Sequence, residues 1–386
     1  MKKTVAVIFG GRSAEHDVSI ITGHIPVIQA LESSSNYEVI PIYITTEGGW
    51  YSEPEMTALD YFKQSDFAER LKFKRQLQFT FDKGLKLIWP GLRPKVRNID
   101  VVFPALHGTY GEDGTLMGLL RLANVPFVGC DLEASAIAMD KVLTKQATIP
   151  LGIPSVPYIW FTTADWAKDA AAVRANIQKN LKYPLFVKPV HLGSTIAITK
   201  VTDTAKLDDA IEVALHYDDK VIVEESVENL IEVTLPIIGN DELVLAQIEQ
   251  PVAKFFDFEA KYLQGGKKGS TGGANNAYSH IPALISPDLA KKVNDYGVAT
   301  YRAIGASGLA RVDFLIDSKT DNVYMNEVNT LPGSLYVHNW KQSGLSALEL
   351  VTKLIDLAFE RHKDRERLAF TFHSDILKQV GGAKAQ

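Results

Sequence analysis

The chain has 386 residues, 46% hydrophobic and 23% charged, with a net charge of -5. That is the balance of an ordinary globular protein, and the length points to two or three domains rather than one core. The negative balance, with no Lys/Arg-rich run, excludes nucleic acid as the main partner and leaves a small molecule as the better expectation.

The single cysteine, Cys130, excludes an internal disulfide and a cysteine-built zinc site. Its neighbours Val128, Gly129 and Leu132 are apolar, so it reads as a small buried residue. The apolar run after Lys2 and Lys3 is too short for a signal peptide, and no run approaches ~18 residues. A soluble, cytoplasmic protein with no membrane partner is expected.

In chain order, Thr4 to Phe9 is an unbroken apolar run ending in Gly10-Gly11, the pattern of a buried parallel strand entering a turn. A helical pattern follows from Val18 to Leu31, which opens a βα unit. Further strands fit residues 37–44 and 100–106. The second of these runs into His107-Gly108-Thr109-Tyr110-Gly111-Glu112-Asp113-Gly114 and a helix over 115–123. Ligands of open α/β sheets bind beyond the carboxyl ends of strands, where Glu15 and His107 lie. Residues 45–99 carry no legible chemistry. One helix is expected over 131–148. Strands and helices then alternate from 158 to 228, with Pro189 to Thr195 forming a loop whose Gly193, Ser194 and Thr195 can fold over phosphates. Strands are expected at 231–238 and 242–249. The glycine-rich run that follows cannot fix itself by burial and lacks the order of a Walker P-loop, so it reads as a mobile lid at about 255–282.

Residues 311–333 carry the strongest signal. Two runs of alternating apolar residues, joined by a polar break at 319–322, read as an antiparallel hairpin. Side chains two apart share a face, which pairs Arg311 with Asp313 and Glu327 with Asn329. Three hard oxygen donors beside a guanidinium suit Mg²⁺ and the phosphates of a nucleotide. Leu331-Pro332-Gly333 ends the second strand abruptly, and Gly333 can bring its N–H close to a ligand.

Several separated motifs stand in one order: Gly10 to Ser19, His107 to Gly114, Met139-Asp140-Lys141, Val187-Lys188-Pro189 with Gly193-Ser194, Glu259 to Tyr262, and the hairpin with its Asn-Glu-Val-Asn-Thr-Leu-Pro-Gly ending. Together they resemble the D-alanine:D-alanine ligase family, a branch of the ATP-grasp enzymes, over roughly residues 4–360. The resemblance implies an α/β (α+β) protein of three domains: an N-terminal open parallel-sheet domain (1–138), a central ATP-grasp domain (139–229) and a C-terminal one (230–386) with the lid and an extra tail. It implies ATP and two Mg²⁺ ions, with Mn²⁺ as an alternative, on Asp313, Glu327 and Asn329.

In the implied roles, Lys141, Lys188 and, from the lid, Lys261 contact nucleotide phosphates, and Glu225 and Glu232 lie near the adenine and ribose. Glu15 receives the first amino acid's ammonium and joins Ser194 and Tyr262 in one network. Arg311 and the Gly333 N–H hold the oxyanion, and His107 and Glu112 line the first subsite. The implied reaction ligates two D-alanines through a D-alanyl phosphate, in a protein that commonly forms homodimers. After Gly333 this chain departs from the pattern. His338 stands where the family carries a serine that binds the second substrate's carboxylate, so Ser334, Tyr336, His338 or Lys341 would serve there by another geometry. A different acceptor, such as D-lactate or D-serine, is the alternative activity, and a nucleotide-binding protein without catalysis is a further one.

Overall fold

The computed structural model describes residues 2–252 and 279–376. Strand Lys3–Gly10 is buried from Thr4 onward and pairs in parallel with Tyr37–Ile44 on one side and Val101–Pro104 on the other. A strand flanked on both sides and covered on both faces has no room for polar side chains, hence its continuous apolar run. Trp50–Tyr51 adds an antiparallel edge.

The helix expected over 18–31 starts earlier, as His16–Thr22. It then widens into a π turn at Gly23–Ile28 and resumes at Gln29–Glu32. The wide turn contains Pro26, which has no N–H to continue the regular ladder. The expected single helix over 131–148 is two, Leu132–Met139 and Lys141–Thr148. Asp140 between them is extended, and its Oδ1 accepts the N–H groups of Val142 (2.8 Å) and Leu143 (2.9 Å), capping the second helix.

The central sheet is antiparallel, in the order Thr199–Val201, Leu185–Pro189, Lys220–Glu225, Tyr158–Thr162. Its strand expected from Thr195 begins only at Thr199. Ser194, Thr195 and Ala197 have φ of 54°, 59° and 56°, a left-handed conformation that no strand adopts. The third sheet, also antiparallel, runs Leu243–Leu245, Leu230–Gly239, Gly308–Asp317, Asn322–Asn329. The strand expected over 242–249 keeps only three residues, with an isolated bridge from Thr234 to Glu249. The illegible stretch 45–99 contains a small three-stranded sheet, Gln78–Thr80, Lys86–Trp89 and Lys95–Asn98.

The C-terminal helix, Ala347–Glu366, returns to the beginning of the chain. Its Leu350, Val351 and Leu354 share one core with Val7, Phe9 and Trp340, so the first and third sheets are joined by apolar packing. Among the described residues no helix is long and apolar enough to cross a membrane.

Gly10 decides where the first strand turns. It has φ +87°, and a Cβ there would lie 2.3 Å from the Ile44 carbonyl oxygen. Gly10→Ala is expected to lower the unfolding free energy by about 2 kcal/mol or more. An unchanged denaturant midpoint would contradict that close approach.

Candidate active site

The hairpin places Arg311, Asp313, Glu327 and Asn329 as two directly opposed pairs, Arg311 with Asn329 and Asp313 with Glu327. The register shifts immediately after Asp313. The extra residue of this bulge lets the alternation restart on the other side, so the apolar set beyond it still faces the core. The buried Arg311 forks onto Asp313, Nε to Oδ1 at 2.7 Å and Nη2 to Oδ2 at 2.5 Å. Asn329 Nδ2 donates to the same Oδ2 at 3.1 Å. Thr234 lies opposite Asp313 on the neighbouring strand, which places Glu232, two residues away, on the same sheet face.

A pocket opens over this face. Met139 and Lys141, the loop residues Leu192 and Gly193, and Glu327 and Asn329 line it, with Glu112. The Lys141 ammonium donates to the Leu192 carbonyl at 2.7 Å and lies 3.8 Å from Glu327. On the central sheet, Lys188 meets a residue that the sequence reading missed. Glu224, only 2% exposed, takes Lys188 at 2.5 Å on one oxygen and the fully buried Lys145 at 2.8 Å on the other. Burial opposes ionisation of Glu224, but the two ammonium groups overcome it and hold its carboxyl at about 2. Lys145 carried one usable signal, since it follows Lys141 by four residues on one helix and so shares its face. Glu225 projects to the other side of the strand, and its Oε1 accepts the Lys182 N–H at 2.9 Å.

The N-terminal sheet supplies the opposite wall. Glu15 begins the helix after the glycine turn and is buried, and it accepts a hydrogen bond from Ser194 of the central loop. Glu112 accepts the Gly108 N–H at 2.7 Å, and burial followed by the neighbouring Glu15 raises its carboxyl pKa well above the usual range. His107 bonds Thr22 Oγ1 through Nε2 at 2.7 Å, and burial lowers it to about 4, so it is neutral at neutral pH. Thr22 Oγ1 also accepts the Ser334 N–H at 3.0 Å, which ties the loop after Gly333 to this wall.

That loop is unusual in its backbone. Ser334, Leu335 and Tyr336 all have φ near +50°, a conformation that costs each non-glycine residue about 1 kcal/mol or more. Three contacts hold it: the Thr22 bond, the burial of Leu335, and the Arg311 guanidinium 4.8 Å above the Tyr336 ring. Beyond it, His338 Nε2 bonds the buried Glu249 at 2.8 Å, and Asn339 Nδ2 reaches the same carboxylate at 3.3 Å. Burial raises the Glu249 pKa, but the His338, Ser279 and Asn339 contacts outweigh it and leave the carboxyl below its usual range. Glu249 also went unrecognised in the sequence.

The expected sites Lys261 and Tyr262 lie outside the described residues, as does most of the lid. Its described end, Ser279–His280, pairs with Gln250–Pro251.

Comparison with known proteins matches the same two walls. The family models described as D-ala D-ala ligase N-terminus and D-ala D-ala ligase C-terminus match residues 4–130 and 148–356. The chain belongs to the D-alanine–D-alanine ligase family. The D-alanine–D-alanine ligase of Bacillus licheniformis is 37% identical, over 96% of this chain and 100% of its own length. That of Acetivibrio thermocellus is also 37% identical, over 94% and 97%. Among solved structures, the VanG D-Ala:D-Ser ligase from Enterococcus faecalis superposes with a TM-score of 0.75 at 33% identity, covering 93% of this chain and all of that one. The Coxiella burnetii D-alanine–D-alanine ligase gives 0.77 at 28% identity, covering 95% and 96%. Ligases of this family have the ATP-grasp fold and use ATP with a divalent metal. The hairpin fits such an ion: Asp313, Glu327 and Asn329 offer oxygen donors, and the hairpin residues Glu327 and Asn329 line the pocket.

Lys145→Met is expected to destabilise the protein by about 3 kcal/mol near neutral pH, because it removes one partner of a buried carboxylate. The Glu224 carboxyl is depressed on folding, from an ordinary 4.5 to about 2. Its stabilisation is therefore present above pH 4.5 and is lost as pH falls towards 2. The difference between wild type and variant, measured by denaturant unfolding, should shrink over that interval.

Proposed function

We propose that the protein ligates two D-alanines at the expense of ATP. The observation that carries this reading is one pocket lined by Lys141, the loop residues Leu192 and Gly193, Glu112 and the hairpin residues Glu327 and Asn329, with Glu15 tied to that loop through Ser194. The division into domains 1–138, 139–229 and 230–386 fits this arrangement, with the nucleotide between the last two. A carboxylate oxygen of the first D-alanine attacks the γ-phosphorus, the bond to the β-phosphate oxygen breaks, and ADP leaves. The second D-alanine's amine, having lost a proton, attacks the carbonyl of the resulting acyl phosphate. The C–N bond forms as phosphate departs.

Each residue's part follows from its chemistry. Lys141, Lys188 and Lys261 offset phosphate charge and Glu232 holds the adenosine, whereas Glu225, turned to the other face of its strand and bonded to the Lys182 N–H, is not placed for that role. Glu15 receives the first substrate's ammonium, helped by Ser194 and Tyr262, while His107 and Glu112 shape that subsite. Arg311 and the Gly333 N–H stabilise the tetrahedral oxyanion. Asp313, Glu327 and Asn329 would hold two Mg²⁺ ions, or Mn²⁺, and bound metal supplies charge neutralisation on the phosphates. The protein acts in the cytoplasm, as a homodimer, in peptidoglycan precursor synthesis.

A second reading has support of its own. Ser334 and His338 face the second substrate in this proposal, and the His338–Glu249 pair makes that side more polar than a lone hydroxyl would. The similarity to a D-Ala:D-Ser ligase points the same way. D-serine, or D-lactate, then becomes the acceptor. Products formed from Mg-ATP and D-alanine, with and without D-serine or D-lactate, separate the readings by mass. D-Alanyl-D-alanine as the sole product supports the first, and a mixed product in the presence of D-serine supports the second. ATP turnover that ignores every D-amino acid would defeat both.

Glu327→Gln should remove most activity, with partial recovery at raised metal concentration. Arg311→Ala should slow ligation by about 10² or more while leaving nucleotide affinity nearly unchanged. Equal losses in rate and affinity would contradict its oxyanion role.

A further inference from the structure

His191 lies in the loop between Pro189 and Gly193, and the residues proposed to run the reaction leave it without a part. Its backbone N–H donates to Asp218 Oδ2 at 2.6 Å, and its ring Nδ1 meets Asp218 Oδ1 at 2.9 Å. The other ring nitrogen, Nε2, lies 3.3 Å from Asp140 Oδ2. Both ring nitrogens therefore face carboxylates, and only the doubly protonated imidazolium can donate to both.

The two carboxylates belong to different elements. Asp218 ends helix Leu207–Tyr217, and Asp140 caps the helix that begins with Lys141. Lys220 Nζ also holds Asp140 at 2.7 Å, and its backbone N–H donates to Asp218 at 3.2 Å. The remaining charged groups nearby are Asp219, which is exposed, and Lys141, whose ammonium bonds the carbonyl of Leu192 next to His191.

We infer that His191 is a positioning residue: as an imidazolium stapled between Asp140 and Asp218, it sets the Val190–Ser194 loop against Lys141 so that both are placed for the nucleotide's phosphates. This rests on the proposed ligase reading, in which Lys141 and that loop bind ATP. The loop's next contact, from Ser194 to Glu15, crosses to the N-terminal wall, so the staple also sets one end of the link between the two walls.

The cluster of His191, Asp218 and Asp219 has the composition of a metal site. A cation would require neutral imidazole and free carboxylate oxygens. Here the bonds to Asp140 and Asp218 raise the His191 pKa from 6.5 to about 9, against an opposing effect of burial. Its group is thus charged at neutral pH. Because the pKa is raised in the assembled loop, the staple is complete below pH 6.5 and is lost as pH rises through about 9.

The test is the dissociation constant of a non-hydrolysable ATP analogue with Mg²⁺, measured from about pH 7 to 10 in wild type, His191→Gln and His191→Arg. Wild-type affinity is expected to weaken through about pH 9. His191→Gln should bind about tenfold more weakly at pH 7, the worth of a charge-assisted hydrogen bond, and should lose the alkaline limb. His191→Arg keeps a two-donor cation with no titration in this range, so it should hold near-wild-type affinity beyond pH 9. Wild-type affinity and an unchanged pH limb in His191→Gln would overturn the inference. So would stoichiometric zinc binding by the wild type that His191→Gln abolishes. A wild type that binds no nucleotide at any pH would instead overturn the ligase reading beneath it.

Discussion

Cations gathered for a phosphate must be neutralised before the phosphate arrives, because a buried ammonium or guanidinium without a partner costs several kcal/mol. Among the described residues, the cationic groups in and around this pocket each have a carboxylate beside them. Glu224 holds Lys145 and Lys188, Asp313 holds Arg311, Glu327 lies beside Lys141, and Asp140 holds Lys220 with His191. The site is close to balanced without a ligand. In the proposed reading, a nucleotide with its metal would exchange one set of charge pairs for another instead of entering a bare positive cavity.

The sheets supply rigidity for this arrangement, and short strained or capped segments supply direction. Asp140 breaks one helix into two and in doing so points Lys141 at the loop. The left-handed residues after Gly333 bring Tyr336 beneath Arg311 and carry the chain to His338. Neither feature could persist alone. Both are held by burial and by bonds to elements far away in sequence, such as Thr22 to Ser334.

The apolar core serves the same end. Leu350 and Leu354 of the C-terminal helix pack in one cluster with Val7 and Phe9 of the first strand. The wall bearing Glu15 and the unit bearing the hairpin are thereby fixed relative to each other. The central sheet has a separate cluster built around Val187, Ile211 and Val223, and it meets the N-terminal wall through the polar contact of Ser194 with Glu15.

The sequence by itself determined the parts whose physics is local. The unbroken apolar run of the first strand, the glycine turn after it and the alternation in the 311–329 hairpin each follow from periodicity and steric permission. So the strand, the turn and the shared face of Asp313 and Glu327 were legible. Only the tertiary structure decided how charges met. Glu224 rather than Glu225 faces Lys188 because the register of two strands sets Lys188 opposite Ile222, and no local pattern encodes that pairing. Glu249 reaches His338 across about ninety residues, and His191 reaches Asp140 across about fifty. Electrostatic partnership depends on distance in space, and chain sequence fixes that distance only after the sheets have packed.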